Sequence, residues 1–428
     1  MKTLKNVVLI GGCLILLCLG LLLVTWIFII FIIPLILFLF LSIITFYDED
    51  VELDVKHKVS KERVFENDEI EVTVDIKNKG RKINFLEIYD NLPNKVKIIK
   101  GSNYAALSLD KDQKITLKYV ISCNVRGFFP IGPVKLRVRD YFDMFFKEQT
   151  IDSDKYVMVM PHLEELRNVP IKARTHLFPG AVYAKQAGIG MEFHGIRKYV
   201  PGDTFKNINW KALAKFNNLM VNEFVLESTT DIIIIIDSRD IESMGSPKHN
   251  PLEHSIKAAG SLASFFLKRR DRVGLIAYGK KGGKITWVYP ESGKKQLFKI
   301  LEELVKIEAN GEYEFNNMID QASIHMLPKK SFVVFISSLQ NDESIPKGID
   351  KLIRMGFNTL ILSPSSVDIE YSLKENDEID NIAYRILDFE RKNNISRLRN
   401  TGAMVLDWDP SIPLIAPLEE VKKYQIKR

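Results

Sequence analysis

The sequence predicts a chain in three parts. These are a transmembrane helical hairpin, an antiparallel β-sandwich of immunoglobulin or fibronectin character, and a doubly wound α/β domain. Three observations predict them. Residues 6–47 are almost wholly apolar and carry no charge. Residues 51–160 alternate polar and apolar side chains between regularly spaced turn signals. From residue 231 onward, all-apolar runs of strand length alternate with amphipathic helical stretches. The boundaries fall at 1–50, 51–160, 161–230, which reads as a connector, and 231–428.

The bulk numbers agree with this division. A chain of 428 residues suits two or three domains. Its net charge of +6 comes from 60 basic and 54 acidic residues, a balance too mixed to imply nucleic acid as a partner. Cys13, Cys18 and Cys123 are too few and too scattered for a disulfide framework.

The apolar N-terminal run is about twice the ~20 residues that one membrane span requires. As one helix it would reach roughly 60 Å, so two helices are expected, with the turn between Gly20 and Trp26 and Pro34 inside the second. The run is too long for a cleaved signal peptide. Lys2 and Lys5 precede it, and Lys56, Lys58, Lys61 and Arg63 follow it. Positive flanks at both ends place both on the cytoplasmic side of a cell membrane, as a hairpin allows.

In the sandwich region, Glu69–Asn78 and the stretch 114–122 alternate with period two. Asn78-Lys79-Gly80, Pro93-Asn94 and Asp110-Lys111-Asp112 supply turn chemistry between them.

The connector ends in the densest stretch of the chain, residues 190–223, where charge, aromatics and turn residues mix. Pro201-Gly202-Asp203 is a turn signal, and Asp203 or Thr204 is placed to cap a short helix ending near Lys215. Glu192, Arg197, Lys198, Tyr199, Trp210, Lys211 and Glu223 surround the turn. Three uses fit: a charge-paired structural joint, a partner-docking surface, or a nucleic-acid patch diluted by its acids. No nucleophile stands beside a base here, which argues against covalent catalysis. Gly188-Ile189-Gly190 lacks the third glycine of a phosphate loop. His162, His176 and His194 are not at metal-ligand spacing.

In the last domain, 232–236, 332–336 and 359–362 are runs expected of buried parallel strands. Residues 273–278 and 284–289 form a hairpin, and 403–408 a last strand. Helices are expected at 255–270, 294–307, 349–355, which stops at Gly356, and 381–399. Alternating strands and helices give a doubly wound sheet with one antiparallel element.

The 190–223 stretch resembles the signature of the family known as domain of unknown function 58. Gly190, Glu192, Phe193, Gly195, Arg197, Tyr199, Pro201, Gly202, Asp203, Ile208, Asn209, Trp210, Lys211 and Ala214 fit it, with Lys206 near a position that is usually arginine. Arg126-Gly127-Phe128-Phe129 through Gly132-Pro133 and Asp140 to Phe142 resemble a second family segment, with Tyr141 and Asp143 replacing its usual proline and glycine. The resemblance extends to Ser363-Pro364-Ser365 and to Leu406 through Pro410.

It implies a von Willebrand factor A-like fold for 231–428. In that fold Mg²⁺ is held by a D-x-S-x-S motif, a threonine loop and a later aspartate. Asp237 fits the motif, but Arg239 and Ile241 stand at its serine positions. The threonine loop would fall at 311–317, which holds no threonine. After 332–336 come Ser337 and Ser338, with Asp342 the nearest acid. The expectation is therefore no cofactor, with Asp237 structural or paired with Arg239.

By resemblance the protein is a membrane-anchored, non-enzymatic interaction protein, partnering a MoxR-type AAA+ ATPase in complex assembly. Glu192, Arg197, Tyr199, Asp203, Trp210, Lys211 and Glu223 are its candidate binding residues. The alternatives are a hydrolase of envelope polymers using the 190–223 signature, and a metal-dependent adhesion module.

Overall fold

A computed structural model describes residues 4–23, 27–47, 52–139, 145–152, 155–167, 169, 171, 192–225, 230–328, 331–340, 342–373 and 378–421. The chain divides into two compact units, Met1–His162 and Leu163–Arg428.

The first unit opens with two helices, Leu4–Leu23 and Ile27–Tyr47, the second containing Pro34. Their apolar side chains point outward: Leu22 is 79 % exposed and Ile30 67 %. Among the described residues no helix is long and apolar enough to cross a membrane. The expected transmembrane hairpin is thus met as two helices, and not as two assigned spans.

Two four-stranded antiparallel sheets follow. One runs Leu53–Val59, Glu69–Asn78, Lys114–Cys123, Val96–Gly101 in spatial order. The other runs Phe146–Ile151, Val134–Arg139, Ile83–Asp90, Tyr104–Leu109. Glu69–Asn78 alternates buried and accessible positions, as a strand with one face on a core must. Val72, Val74, Ile121, Leu86, Ile88 and Leu136, from both sheets, share one buried cluster. Asp90 is buried in this unit, where its carboxylate accepts from Tyr119 Oη at 2.5 Å and lies 3.0 Å from His57 Nε2. Arg63–Phe65, Tyr156–Met160 and Gly127–Pro130 make a third sheet. Those strands are three to five residues long, too short to show a period.

The second unit holds a six-stranded sheet. Its spatial order is Thr286–Glu291, Arg272–Tyr278, Asp231–Asp237, Phe332–Ile336, Asn358–Pro364, Met404–Trp408. All neighbours are parallel except the edge pair of Thr286–Glu291 with Arg272–Tyr278. Ile232 through Ile236 are 0 % exposed, since a central strand covered on both faces needs apolar side chains on both. At ~25 cal/mol per Å² each such isoleucine contributes about 2 kcal/mol of transfer free energy.

Helices Pro251–Lys268, Lys294–Lys306, Ser344–Arg354 and Glu378–Asn400 agree with expectation. Phe315–His325 and Ser366–Ser372 are additional. Phe315 stacks on Phe335 at 4.3 Å and meets Tyr278 at 5.4 Å, filling the core under one end of the sheet.

The supposed connector is partly built structure. Glu192–Lys198 pairs antiparallel with Met220–Val225, and between them lie a single 3₁₀ turn at Phe205–Asn207 and a helix at Trp210–Phe216. Glu164 N donates to Ser261 Oγ at 2.9 Å, tying the 163–167 segment to the Pro251–Lys268 helix. The expectations at Asp140 to Asp143, His176 and Gly188-Ile189-Gly190 lie outside the described residues.

Candidate functional site

At the carboxyl edge of the six-stranded sheet, where a doubly wound fold gathers its strand ends, stands a buried ionic cluster. Asp237 closes the first strand and is 0 % exposed. Arg239 folds back onto it, with Nε 3.0 Å from Oδ1 and Nη2 2.6 Å from Oδ2. The Arg239 backbone N–H also donates to Oδ1 at 3.1 Å. Its Nη1 donates to Asp342, in the loop after Phe332–Ile336. Burial works against the Arg239 charge, but bonding to Asp237 and Asp342 and the Asp237 charge outweigh it, so its pKa is raised.

Glu242 lies beside this pair, 1 % exposed. It accepts from Ser338 N at 2.9 Å and Ser338 Oγ at 2.8 Å. Ser337 Oγ stands 3.0 Å from Glu242 and 3.1 Å from Asp237, bridging the two carboxyl groups. Burial, followed by the charge of Asp237, pushes the Glu242 carboxyl up to about 8. At neutral pH Glu242 is therefore mostly the neutral acid, which limits the negative charge facing Arg239.

The surrounding loops are locked in place. Gly311 N donates to Asp240 Oδ1 at 2.8 Å, and Asp240 N to Gly311 O at 2.9 Å. Gly311 has φ +128°, and a Cβ there would lie 2.4 Å from Lys281 N, so only glycine allows this approach. Arg391, on the inner face of Glu378–Asn400, donates to Ser338 O at 2.6 Å, Ser363 Oγ at 2.8 Å and Asp407 Oδ1 at 2.7 Å. One guanidinium thus ties together the ends of three parallel strands.

The residues do not fit the Mg²⁺ site implied by the family resemblance. The Arg239 guanidinium already occupies oxygens of both Asp237 and Asp342, the ones a cation would need. Among the described residues no group of three His, Cys, Asp or Glu side chains could hold a metal ion. Asp237 is paired with Arg239.

The signature residues are only partly brought together. Arg197 and Asp203 form a bidentate pair, both bonds 2.7 Å, and Asp203 Oδ2 also accepts from Val200 N at 2.9 Å. The Arg197 bond and the Val200 N–H hold the Asp203 carboxyl down at about 2. Asp203 therefore pins the Pro201-Gly202 turn and does not cap a helix. The helix cap is Asn209, whose side chain accepts from Ala212 N at 2.9 Å and donates to Asn222 at 2.8 Å.

Tyr199 donates its backbone N–H to Leu219 O, and its ring lies 6.3 Å from that of Phe205. Trp210 does not pack as a buried joint: it is 66 % exposed, Phe205 is 73 % and Phe216 57 % exposed, and Lys211 is exposed too. Glu192 and Glu223 lie in the two paired strands, and their side chains are outside the described residues.

Sequence reasoning missed Glu242 and Arg391. For Arg391 a signal existed: it precedes Ile395 and Leu398 at i+4 and i+7, which puts it on the buried face of the helix.

The geometry defines an α/β protein whose strand-end cluster is closed by its own arginine, carrying a hairpin-and-helix signature with exposed aromatics. The family described as "Protein of unknown function DUF58" matches residues 195–356. The chain is also similar to the "Uncharacterized protein YeaD" of Bacillus subtilis (strain 168), 21 % identical over 251 residues, or 56 % of this chain. The chain spans 59 % of that relative's length. Similar solved structures include the CARDB domain of the PF1109 protein from Pyrococcus furiosus, at 14 % identity and TM-score 0.18, over 26 % of this chain and 88 % of that one. Another is proximal thread matrix protein 1 from the mussel byssus, at 11 % identity and TM-score 0.30, over 46 % of this chain and 47 % of that one.

Proposed function

We propose that this protein is a membrane-anchored, non-enzymatic interaction protein that docks a partner through its 190–223 signature. The observation carrying this is a division of labour inside the signature. Two of its polar pairs are engaged with each other, Arg197 with Asp203 and Asn209 with Asn222. Its large apolar groups Phe205, Trp210 and Phe216 face solvent. Exposed aromatics on a framework fixed by local bonds are what a protein interface uses for anchors.

The anchor is the pair of N-terminal helices, read as a hairpin in the cell membrane. Support comes from the second helix, 21 residues without a charge, and from the basic flanks that favour a cytoplasmic position for both soluble regions. A von Willebrand factor A-like platform is supported by the strand order, by the single antiparallel edge strand and by Asp237 at the end of the first strand. The partner favoured by the family resemblance is a MoxR-type AAA+ ATPase.

Purification of the full chain in mild detergent tests this. The expected result is recovery of a AAA+ ATPase, reduced about 30-fold when Phe205→Ala and Trp210→Ala are combined, with the melting temperature unchanged. Recovery of no such ATPase refutes the partner. Recovery insensitive to the double variant refutes the surface.

A further inference from the structure

A groove runs along the Glu378–Asn400 helix over the carboxyl edge of the six-stranded sheet. Its centre is a cavity of about 260 Å³. On one side it shares Leu339, Gln340 and Asn394 with a pocket of about 60 Å³. On the other it shares Val367, Glu370 and Leu387 with one of about 30 Å³. The three are therefore continuous, and they lie where open α/β sheets take their ligands.

The charges along the groove decide what it would accept. Asp342, Glu343, Glu370, Asp380 and Glu390 line it, against Arg391 and Arg397. Several of these are already paired: Asp342 with Arg239, which Asp237 shares, Glu343 with Lys347 at 3.7 Å, and Arg391 with Asp407. The balance at the central cavity is set by two exposed carboxylates, Glu370 and Glu390. The same cavity is lined by the apolar side chains of Leu339, Ile369 and Leu387. A hydrated inorganic cation gains nothing from such a wall, whereas an aliphatic side chain does.

We propose that this groove binds a segment of a partner protein in which an aliphatic residue is flanked by lysine or arginine. The aliphatic side chain enters the central cavity, and the flanking cations meet Glu370 and Glu390. The stems of those long side chains cover the apolar rim. This surface is separate in sequence from the 190–223 signature, and the inference does not depend on the docking proposed for it.

Fluorescence anisotropy on the full chain in an uncharged detergent tests the assignment. The probes are fluorescein-labelled Gly-Lys-Leu-Lys-Gly and its acidic counterpart Gly-Glu-Leu-Glu-Gly. The lysine peptide is expected to bind saturably, and the glutamate peptide at least tenfold more weakly. Glu370→Gln with Glu390→Gln is expected to weaken the lysine peptide about tenfold, as loss of two partly exposed ion pairs implies. Glu370→Lys with Glu390→Lys is expected to invert the preference, and both double variants should melt with the wild type, since the two side chains are exposed. Absence of saturable binding overturns the proposal, as does binding unchanged in the Gln variant. Probe binding that falls as protein concentration rises would place a second copy in the groove, and overturns it too.

Discussion

Replacing Arg239 with methionine isolates what holds the strand-end cluster together. The substitution keeps most of the aliphatic volume and removes the guanidinium. Asp237 is 0 % exposed, so water cannot replace the three side-chain bonds it loses, at 3.0, 3.2 and 2.6 Å. The Arg239 backbone N–H and Ser337 Oγ remain to it. Leaving one partner of a buried pair uncompensated costs about 3–5 kcal/mol, against under 1 kcal/mol for a surface pair. Arg239 is 11 % exposed at its side chain, which puts it in the first class. Asp237→Asn combined with Arg239→Met removes both charges, and should cost about 2–3 kcal/mol less than the sum of the two single variants. Urea unfolding of the detergent-solubilised chain, followed by the fluorescence of Trp408, which is 3 % exposed in the second unit, measures all three. A loss below about 1 kcal/mol for Arg239→Met, or strict additivity in the double variant, would refute the reasoning.

Glu242 makes the same domain pH-sensitive. Its folded pKa of about 8 lies above the ordinary 4.5, so its contribution is fully present below about 4.5 and is lost as pH rises through about 8. Between pH 6 and 9 the wild type should lose on the order of a few kcal/mol relative to Glu242→Gln. Equal slopes in urea titrations of the two proteins would contradict this. Calorimetric titration with Mg²⁺ or Mn²⁺ should show no one-site binding; a tight site abolished by Asp237→Ala would mean that a cation displaces the guanidinium. Asn209→Ala should cost about 1 kcal/mol locally, read as faster amide exchange over 210–216 with the six-stranded sheet unaffected.

Much of the framework was legible because burial writes directly into composition. Five consecutive isoleucines fit a strand covered on both faces, and Ile395 and Leu398 mark the inner side of their helix. The Phe315–His325 helix was harder to see. Phe315, Met318, Ile319 and Ala322 keep helical spacing, but Asn316, Asn317 and Asp320 fill the positions between them. The signature hairpin was hidden similarly, its alternation broken by Gly195 and by the irregular pairing between Phe193 and Gly195. Asp203 and Asn209 are both suitable caps by residue type; Arg197, six residues before Asp203, captures that carboxylate and leaves capping to Asn209. Contacts over long separations left no local trace. The bond from Ser337 to Asp237 crosses 100 positions, and no local pattern singles out Glu242 as the carboxyl that Ser338 would hold.

The two ion pairs most suggestive of chemistry, Arg239 with Asp237 and Arg197 with Asp203, both close over few residues, two and six. Short loops make such pairs cheap in chain entropy, so they form as part of the local fold. Once formed, each consumes the charges that a metal or a substrate would otherwise meet. What stays exposed at the signature includes the apolar side chains Phe205, Trp210 and Phe216, and at the centre of the strand-end groove the carboxylates Glu370 and Glu390. Both arrangements leave few charges for a small ion and suit the docking proposed above. The fold retains the position of a strand-end site while its own arginine supplies the cation.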